Sequence, residues 1–171
     1  MTLPSVHSLI ESLKSELQNR FPQADDSIVM VGIHSGGAWI AQTLHTQLNI
    51  QTELGSLDIS FYRDDFSQNG LHPHVKSSTL PDIEGKTIIL IDDVIMSGRT
   101  IRAALNELFD YGRPQSVLLA CLLDVGQREL PIQADIIAHT MQLTPNQRIN
   151  LSGPEPLELS LVTLNKEGKK A

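Results

Sequence analysis

The chain has 171 residues, 13 of them basic and 20 acidic, which give a formal net charge of −7 at neutral pH. This length allows one domain with a sizeable core, and a hydrophobic share of 40% excludes a disordered chain. The acidic balance gives no general attraction for nucleic acid, and no apolar stretch approaches the roughly 20 residues that span a bilayer.

The first part of the chain predicts two helices and two strands. Apolar side chains from Val6 to about Arg20 recur with the spacing of one helical face. The apolar run Ile28–Ile33 is typical of a buried strand, and the loop His34–Gly37 follows it directly. A second helix is predicted from Ala38 to Leu48, and the alternating segment Ser56–Phe61 predicts a half-buried strand.

The second part predicts a long loop and further strands around one helix. The polar segment Tyr62–Gly85 has no helical period, and a loop of this length inside a domain is usually functional. Thr87–Ile91 is a buried strand, and the helix after it carries Phe109 on its apolar face and stops at Gly112. The remaining strand candidates are Val117–Leu123, Ala134–Ala138, Ile149–Leu151 and Leu157–Leu164. This alternation indicates a single α/β domain over residues 1–171, with a mainly parallel sheet flanked by helices.

The single cysteine, Cys121, lies inside a predicted buried strand. No disulfide can form within the chain, which favours a reducing compartment. The N-terminus lacks the basic and apolar pattern of a signal peptide. We therefore expect a cytoplasmic protein that does not enter a membrane.

The segment Ile88–Thr100 carries the chemistry. A buried strand ends in two carboxylates, Asp92 and Asp93, and a loop with Ser97 and Gly98 leads into a helix. A helix N-terminus suits a phosphate, while ionised carboxylates accept hydrogen bonds from two vicinal hydroxyls. A ligand with both groups is a ribose 5-phosphate. The alternative is a strand, an acidic turn and a capped helix that bind nothing.

The same thirteen residues resemble the motif with which type I phosphoribosyltransferases bind 5-phosphoribosyl-1-pyrophosphate (PRPP). The resemblance implies that family's α/β fold, with a twisted and mainly parallel sheet, a small hood and a flexible lid. It also implies that Asp92 and Asp93 hold the ribose hydroxyls and are catalytic. The residues assigned to the 5′-phosphate are Ser97, Gly98, Arg99 and Thr100.

Three further stretches are similar to the PyrR family of pyrimidine-operon regulators and uracil phosphoribosyltransferases. They are Leu57–Asp65, Gly98–Leu105 continuing through Pro114, and Arg128–Asp135. The resemblance implies a pentosyltransferase that converts uracil and PRPP into UMP and pyrophosphate, regulates pyrimidine nucleotide synthesis and forms a homodimer or higher homo-oligomer. It also implies that Mg²⁺ arrives bound to PRPP, with no directly coordinating residue assigned.

The PyrR resemblance assigns the other site residues. Tyr62–Thr79 is expected to be the lid, with Arg63 as a catalytic residue, and Asp124–Pro131 is expected to lie in the hood. The pyrophosphate loop comprises His34, Ser35, Gly36 and Gly37. The residues expected near the base are Asp124, Val125, Arg128 and Ile149.

The chain departs from the PyrR pattern at three positions. Gly36 replaces an arginine of the pyrophosphate loop, Val125 replaces an arginine, and Gln127 replaces a histidine. Losing the first arginine removes a bidentate donor for pyrophosphate, although backbone N–H groups of the loop remain. Two alternatives therefore stay open, namely a catalytically weak sensor of UMP or PRPP that binds RNA, and a phosphoribosyltransferase for another base.

Two features have plainer explanations than a ligand. Trp39 follows the pyrophosphate loop at a helix start, where packing in the core or a dimer interface is favoured over base stacking. His72 and His74 lie in the polar loop without nearby cysteines or further acidic ligands. We therefore predict no metal site built from protein side chains.

Overall fold

The computed structural model describes residues 3–23, 25–59 and 78–164. Within those ranges, helices and strands alternate from the first helix to the second strand and again from the third strand to the fourth. In chain order the elements are α1 (Val6–Arg20), β1 (Ile28–Ile33), α2 (Gly36–Gln47), β2 (Gly55–Leu57), β3 (Thr87–Ile95), α3 (Arg99–Tyr111), β4 (Ser116–Asp124), β5 (Ile136–Thr140), β6 (Gln147–Ser152) and β7 (Glu158–Thr163).

Five strands form one parallel sheet in the order β2-β1-β3-β4-β5, and β6 and β7 form a separate antiparallel pair. From β1 the chain moves outward to β2, whereas from β3 it moves outward in the other direction to β4. The strand order therefore reverses between β1 and β3. In open α/β sheets, ligands bind outside the carboxyl ends of the strands at such a point.

Helices cover both faces of the sheet. On one face, Leu13 of α1 and Ile40 of α2 pack with Ile91 of β3. On the other face, Leu108 of α3 packs with alternate strand residues such as Leu90. Each fully buried Leu or Ile side chain contributes about 1.5–3 kcal/mol, so these two layers hold the helices firmly to the sheet. Among the helices that the structure describes, none is long and apolar enough to cross a membrane.

The structure confirms the predicted bounds of α1 and changes those of β3 and β2. β3 does not end at Ile91, because its pairing with β4 continues as far as Ile95. The strand predicted over Ser56–Phe61 is limited to Gly55–Leu57, and the part from residue 60 onward lies outside the described residues. The longer β3 changes the predicted site, because both predicted carboxylates now lie within the strand.

Two predictions about helices are also corrected. α2 begins at Gly36 and not at Ala38, so the end of the predicted loop forms its first turn. Phe109 was expected on the apolar face of α3, but its side chain is 53% exposed. The buried stripe of α3 runs through Ala104 and Leu108, and the next residue along a helix points about 100° away from it.

Candidate functional site

The carboxyl ends of β1 and β3 meet the amino ends of α2 and α3 where the strand order reverses. The chain leaves β1 at Ile33 and enters α2 through His34 and Ser35. It leaves β3 at Ile95 and enters α3 through residues 96–98. Two helix N-termini are therefore brought to one end of the sheet, and such ends favour anionic groups because their first N–H groups lack helical acceptors.

The two predicted carboxylates lie on opposite sides of β3, because successive strand residues alternate between faces. Asp93 is half-buried, and its carboxylate lies beside Gly36 at the start of α2. Asp92 is only 3% exposed and pairs in register with Cys121 of β4. The sequence interpretation placed both together at the end of the strand. The structure places them inside β3 with different surroundings, Asp93 being beside the predicted pyrophosphate loop.

The predicted pyrophosphate loop packs directly against β3. A Cβ atom at Gly36 would lie 2.5 Å from Oδ2 of Asp93, and a Cβ atom at Gly37 would overlap the carbonyl oxygen of Ile91. The backbone N–H of His34 donates to the carbonyl of Leu57 at 2.9 Å, which anchors the loop to β2 as well. The absence of side chains at both glycines is therefore what allows α2 to stand against β3.

The residues predicted to bind the 5′-phosphate form the turn into α3. Gly98 has φ 90°, a left-handed conformation that glycine adopts at little cost. The Ser97 hydroxyl accepts a hydrogen bond from the backbone N–H of Arg99 at 3.2 Å, and Thr100 is half-buried in the first helical turn. As the N-cap residue, Gly98 has no side chain to occupy the end of α3. An anion can therefore approach the first turn closely.

Arg99 forms an ion pair beside this turn. Its Nε donates to Oε2 of Glu129 at 2.6 Å, and the two side chains are 53% and 57% exposed. An ion pair this exposed contributes about 0–1 kcal/mol, because water and salt screen it. Arg99 can therefore exchange Glu129 for a phosphate group at small cost.

Arg128, predicted to lie near the base, is engaged with other parts of the protein. Its Nε donates to the carbonyl of Ile132 at 2.7 Å, and Nη1 donates to the carbonyl of Met96 at 2.9 Å. Its two terminal nitrogens also donate to both carboxylate oxygens of Asp124, at 3.0 and 2.7 Å. The Arg128 and Asp124 side chains are 20% and 15% exposed, so this pair is far better shielded than that of Arg99.

The other residues predicted near the base lie in two layers. Val125 is 2% exposed and belongs to the core on the α1 and α2 side of the sheet. Ile149 lies on β6 and packs partly buried against the same core. Gln127 donates from its side-chain amide to the carbonyl of Leu143 at 3.1 Å. The hairpin of β6 and β7 therefore forms a second layer beside the connection that follows β4.

The predicted catalytic residue Arg63 lies outside the described residues, as does most of the expected lid, Tyr62–Thr79. Of that segment, Ser78 and Thr79 are described. Thr79 exchanges two backbone hydrogen bonds with Ser56, at 2.7 and 2.8 Å. The C-terminal end of the segment is thus attached to the edge strand β2.

Sequence reasoning missed the contact between Trp39 and Gly153. A Cβ atom at Gly153 would lie 2.6 Å from indole Cε3 of Trp39 and 2.6 Å from Cδ2 of Leu157. This contact joins the hairpin turn to the start of α2, and Trp39 packs against the core as predicted. The run Gly153-Pro154 is a turn signal that the sequence displays, but only the fold shows what the turn touches.

Burial raises the pKa of the Cys121 thiol well above its usual 9.0, and the nearby negative charges of Asp92 and Asp93 act in the same direction. Arg128 acts in the opposite direction more weakly. A thiol in this state is a poor nucleophile, because the thiolate is the reactive form. Across the described ranges, no three residues with metal-ligating side chains gather into a cluster that could hold an ion.

Comparison with known proteins first defines the class. The family model described as phosphoribosyl transferase domain matches residues 4–150. A hypoxanthine-guanine phosphoribosyltransferase from Bacillus anthracis has a TM-score of 0.66 at 23% identity, covering 87% of this chain and 86% of that one. A purine phosphoribosyltransferase from Pyrococcus horikoshii has a TM-score of 0.61 at 20% identity, covering 80% and 82%. The family model and the fold together define a phosphoribosyltransferase domain.

Closer relatives narrow this class. The Bifunctional protein PyrR of Pseudomonas syringae pv. tomato is 55% identical over 167 residues, which are 96% of this chain and 98% of that protein. The protein of the same name from Pseudomonas aeruginosa is 52% identical over 167 residues, with the same coverage of both chains. This chain therefore belongs to the PyrR family of phosphoribosyltransferases.

Proposed function

We propose that this protein transfers the 5-phosphoribosyl group of PRPP to uracil, forming UMP and pyrophosphate, and regulates pyrimidine nucleotide synthesis. The observation that carries the proposal is the contact of Gly36 with Asp93. This contact places a carboxylate, which can accept hydrogen bonds from ribose hydroxyls, at the N-terminus of α2. The turn that follows β3 presents the N-terminus of α3 at the same end of the sheet. Family membership adds uracil as the acceptor, through the PyrR relatives.

Each part of PRPP has a matching group in this arrangement. The 5′-phosphate lies in the turn from Ser97 to Thr100, where backbone N–H groups and hydroxyls donate to it. The ribose hydroxyls donate to Asp93, and Asp92 supports that end of β3 from the opposite side. The pyrophosphate lies at His34–Gly37, where the N–H groups at the start of α2 take the place of the arginine that this chain lacks.

The reaction exchanges one bond at C1 of the ribose. N1 of uracil attacks C1, the bond from C1 to the pyrophosphate oxygen breaks, and pyrophosphate leaves with the bonding electrons while N1 loses its proton. Positive charge develops on the ribose ring in between. The carboxylate of Asp93 stabilises that charge, and the N-terminus of α2 stabilises the leaving group.

Mg²⁺ accompanies PRPP in this proposal and neutralises part of the pyrophosphate charge. Mg²⁺ prefers oxygen ligands and keeps several waters, so it needs few protein groups. The half-buried carboxylate of Asp93 is an oxygen donor at this end of the sheet and would fit such a role, whereas Asp92 is only 3% exposed on the opposite side of β3.

Uracil is proposed to lie at the carboxyl end of β4, near Asp124, Val125, Arg128 and Ile149. Ile149 supplies apolar surface and Asp124 supplies polar groups, while Val125, which is only 2% exposed, supports this position from the core. Arg63 is proposed to act from the lid. Closing a lid excludes water, which would otherwise hydrolyse PRPP.

Pyrophosphate release from PRPP and Mg²⁺ tests the proposal. The purified protein is assayed with uracil and, in parallel, with orotate, hypoxanthine and guanine. Turnover with uracil alone is the expected result. Turnover with another base in its place, or PRPP binding without turnover by any base, would contradict the proposed reaction.

Regulation of pyrimidine synthesis, by resemblance to the family, takes the form of binding to a pyrimidine-operon leader RNA. The net charge of −7 predicts weak binding to RNA in general. A salt titration with the leader and with an unrelated RNA of equal length tests for a specific complex, and equal affinities would refute it. We also propose that the protein is cytoplasmic and forms a homodimer or higher homo-oligomer, and sedimentation tests the oligomeric state.

A further inference from the structure

Arg128 joins the connection after β4, in which it lies, to the exit of β3, which is 32 residues earlier in the chain. It contacts the exit of β3 at Met96, the end of β4 at Asp124 and its own connection at Ile132. We name these four residues the Arg128 clasp. A guanidinium has five N–H groups, and the clasp uses four of them at distances between 2.7 and 3.0 Å. Arg128 thus has little donor capacity left for a ligand.

The segment that the clasp holds also supports the turn into α3. The backbone N–H groups of Glu129 and Leu130 donate to the carbonyl of Ser97 at 3.0 and 3.1 Å. A Cβ atom at Gly98 would lie 3.4 Å from Ile132 and 3.5 Å from Leu130, so these side chains pack directly on that turn. Arg128 therefore supports the proposed 5′-phosphate turn indirectly, because it holds Met96 on one side of the turn and Ile132 on the other.

We propose that Arg128 is a positioning residue, which sets the geometry of the 5′-phosphate turn through the clasp and makes no contact with uracil. The inference rests on the proposed function for the identity of the phosphate. The bidentate pair with Asp124 fixes the plane of the guanidinium, and that plane aims the remaining N–H groups at the two carbonyls. Lysine has no planar fork and cannot hold all four acceptors at once.

Ribose 5-phosphate is the discriminating ligand, because it carries neither a base nor a pyrophosphate. Calorimetric titration with ribose 5-phosphate is applied to the unaltered protein, Arg128→Gln, Arg128→Lys, Asp124→Asn and the double variant Arg128→Gln with Asp124→Asn. Arg113→Gln is the matched control, since Arg113 is exposed and its backbone pairs with Gly85 at the opposite end of the sheet. All titrations are made well below the melting temperature of each variant.

The expected result is that Arg128→Gln weakens ribose 5-phosphate binding about tenfold, while Arg113→Gln changes nothing. The double variant should bind no more weakly than the worse single variant, because both substitutions disable one unit. The affinity of Arg128→Lys for ribose 5-phosphate should lie between that of Arg128→Gln and that of the unaltered protein. In turnover, the KM for PRPP should rise while kcat at saturation stays within about twofold.

Unchanged binding of ribose 5-phosphate in Arg128→Gln, together with a raised KM for uracil, would overturn the proposal and make Arg128 a base contact. Additive losses in the double variant would overturn it too. If Arg128→Gln does not fold, Asp124→Asn and Arg128→Lys give the same comparison. A failure of the proposed reaction is seen separately, as absence of turnover with uracil in the unaltered protein, because the titrations need no base.

Discussion

The substitution Gly36→Ala tests the contact on which the proposed site rests. The added methyl group would lie 2.5 Å from Oδ2, 2.7 Å from Cγ and 3.0 Å from Cβ of Asp93. Asp93 is a short side chain and only half-buried, so it can turn away by changing its rotamer. The backbone of Gly36 is not in the left-handed region, so alanine fits the helix itself. We therefore expect the fold to survive and the carboxylate to move.

The magnitude follows from the hydrogen bonds that Asp93 loses. A hydrogen bond to a charged group contributes about 1.5–3 kcal/mol, and each 1.4 kcal/mol is about a factor of ten in affinity, so PRPP binding should weaken about 10- to 150-fold. A strained rotamer costs about 0.5–1.5 kcal/mol of stability, and alanine at a helical position returns up to about 1 kcal/mol. The melting temperature should therefore change by less than about 6 °C.

Gly37→Ala is the comparison for stability, since its methyl group would overlap the carbonyl oxygen of Ile91, which is backbone and cannot rotate away. Overpacking of this kind costs about 1–3 kcal/mol, which lowers the melting temperature by about 2–12 °C in a domain of this size. Because Gly37 belongs to the predicted pyrophosphate loop, a shift of its backbone should weaken PRPP binding as well, whereas Gly36→Ala should lose affinity with little loss of stability.

The assay is calorimetric titration with PRPP and Mg²⁺, paired with thermal unfolding followed by circular dichroism. Asp93→Asn and the double variant Gly36→Ala with Asp93→Asn complete a cycle. If Asp93 carries the effect, adding Gly36→Ala to Asp93→Asn should weaken binding little further. Full PRPP affinity in Gly36→Ala would refute the reasoning. It would also be refuted if Gly36→Ala weakened PRPP binding by the same factor in Asp93→Asn as in the unaltered protein.

Three further predictions concern neighbouring groups. Asp92→Asn with Asp93→Asn should weaken PRPP binding while the fold stays intact, and unchanged affinity by titration would remove the ribose assignment. Gly98→Ala should cost about 1 kcal/mol of stability, because φ is 90°, and should also weaken ribose 5-phosphate binding; denaturant unfolding and titration measure the two effects. The Cys121 pKa is raised in the folded state, so the unfolded chain ionises first and stability should fall as the pH rises above 9.0. Cys121→Ala should lessen that fall in unfolding experiments between pH 8 and about 10, and an unchanged slope would contradict it.

Local patterns predicted the elements well where burial is one-sided. The apolar stripe of α1 predicted a helix from Val6 to about Arg20, because one helical face is buried and the other is exposed. The same kind of pattern failed for Phe109, since hydrophobicity alone does not show where a buried stripe ends. It failed again at the end of β3, where the apolar run stops at Ile91 but pairing with β4 continues to Ile95.

The candidate site was also predicted only in part. The segment Ile88–Thr100 was recognisable because strand, carboxylates, glycine turn and helix start follow one another within a few residues. The roles of Gly36 and Arg128 were harder to predict, since the contact of Gly36 with Asp93 and that of Arg128 with Met96 join positions that are far apart in the sequence. Gly36 was taken as a lost arginine, and the structure adds that its bare Cα is the neighbour of the Asp93 carboxylate.

The sequence by itself determined the α/β class and the family and predicted the phosphate-binding turn, because hydrophobic periodicity and short motifs are local properties of the chain. Only the tertiary structure decided which carboxylate stands beside the predicted pyrophosphate loop, that Arg128 holds the carbonyl of Met96, and that Trp39 meets Gly153. These contacts join residues that are far apart in the chain, and they exist because β1 and β3 are neighbours in the sheet and the β6–β7 hairpin folds back onto α2.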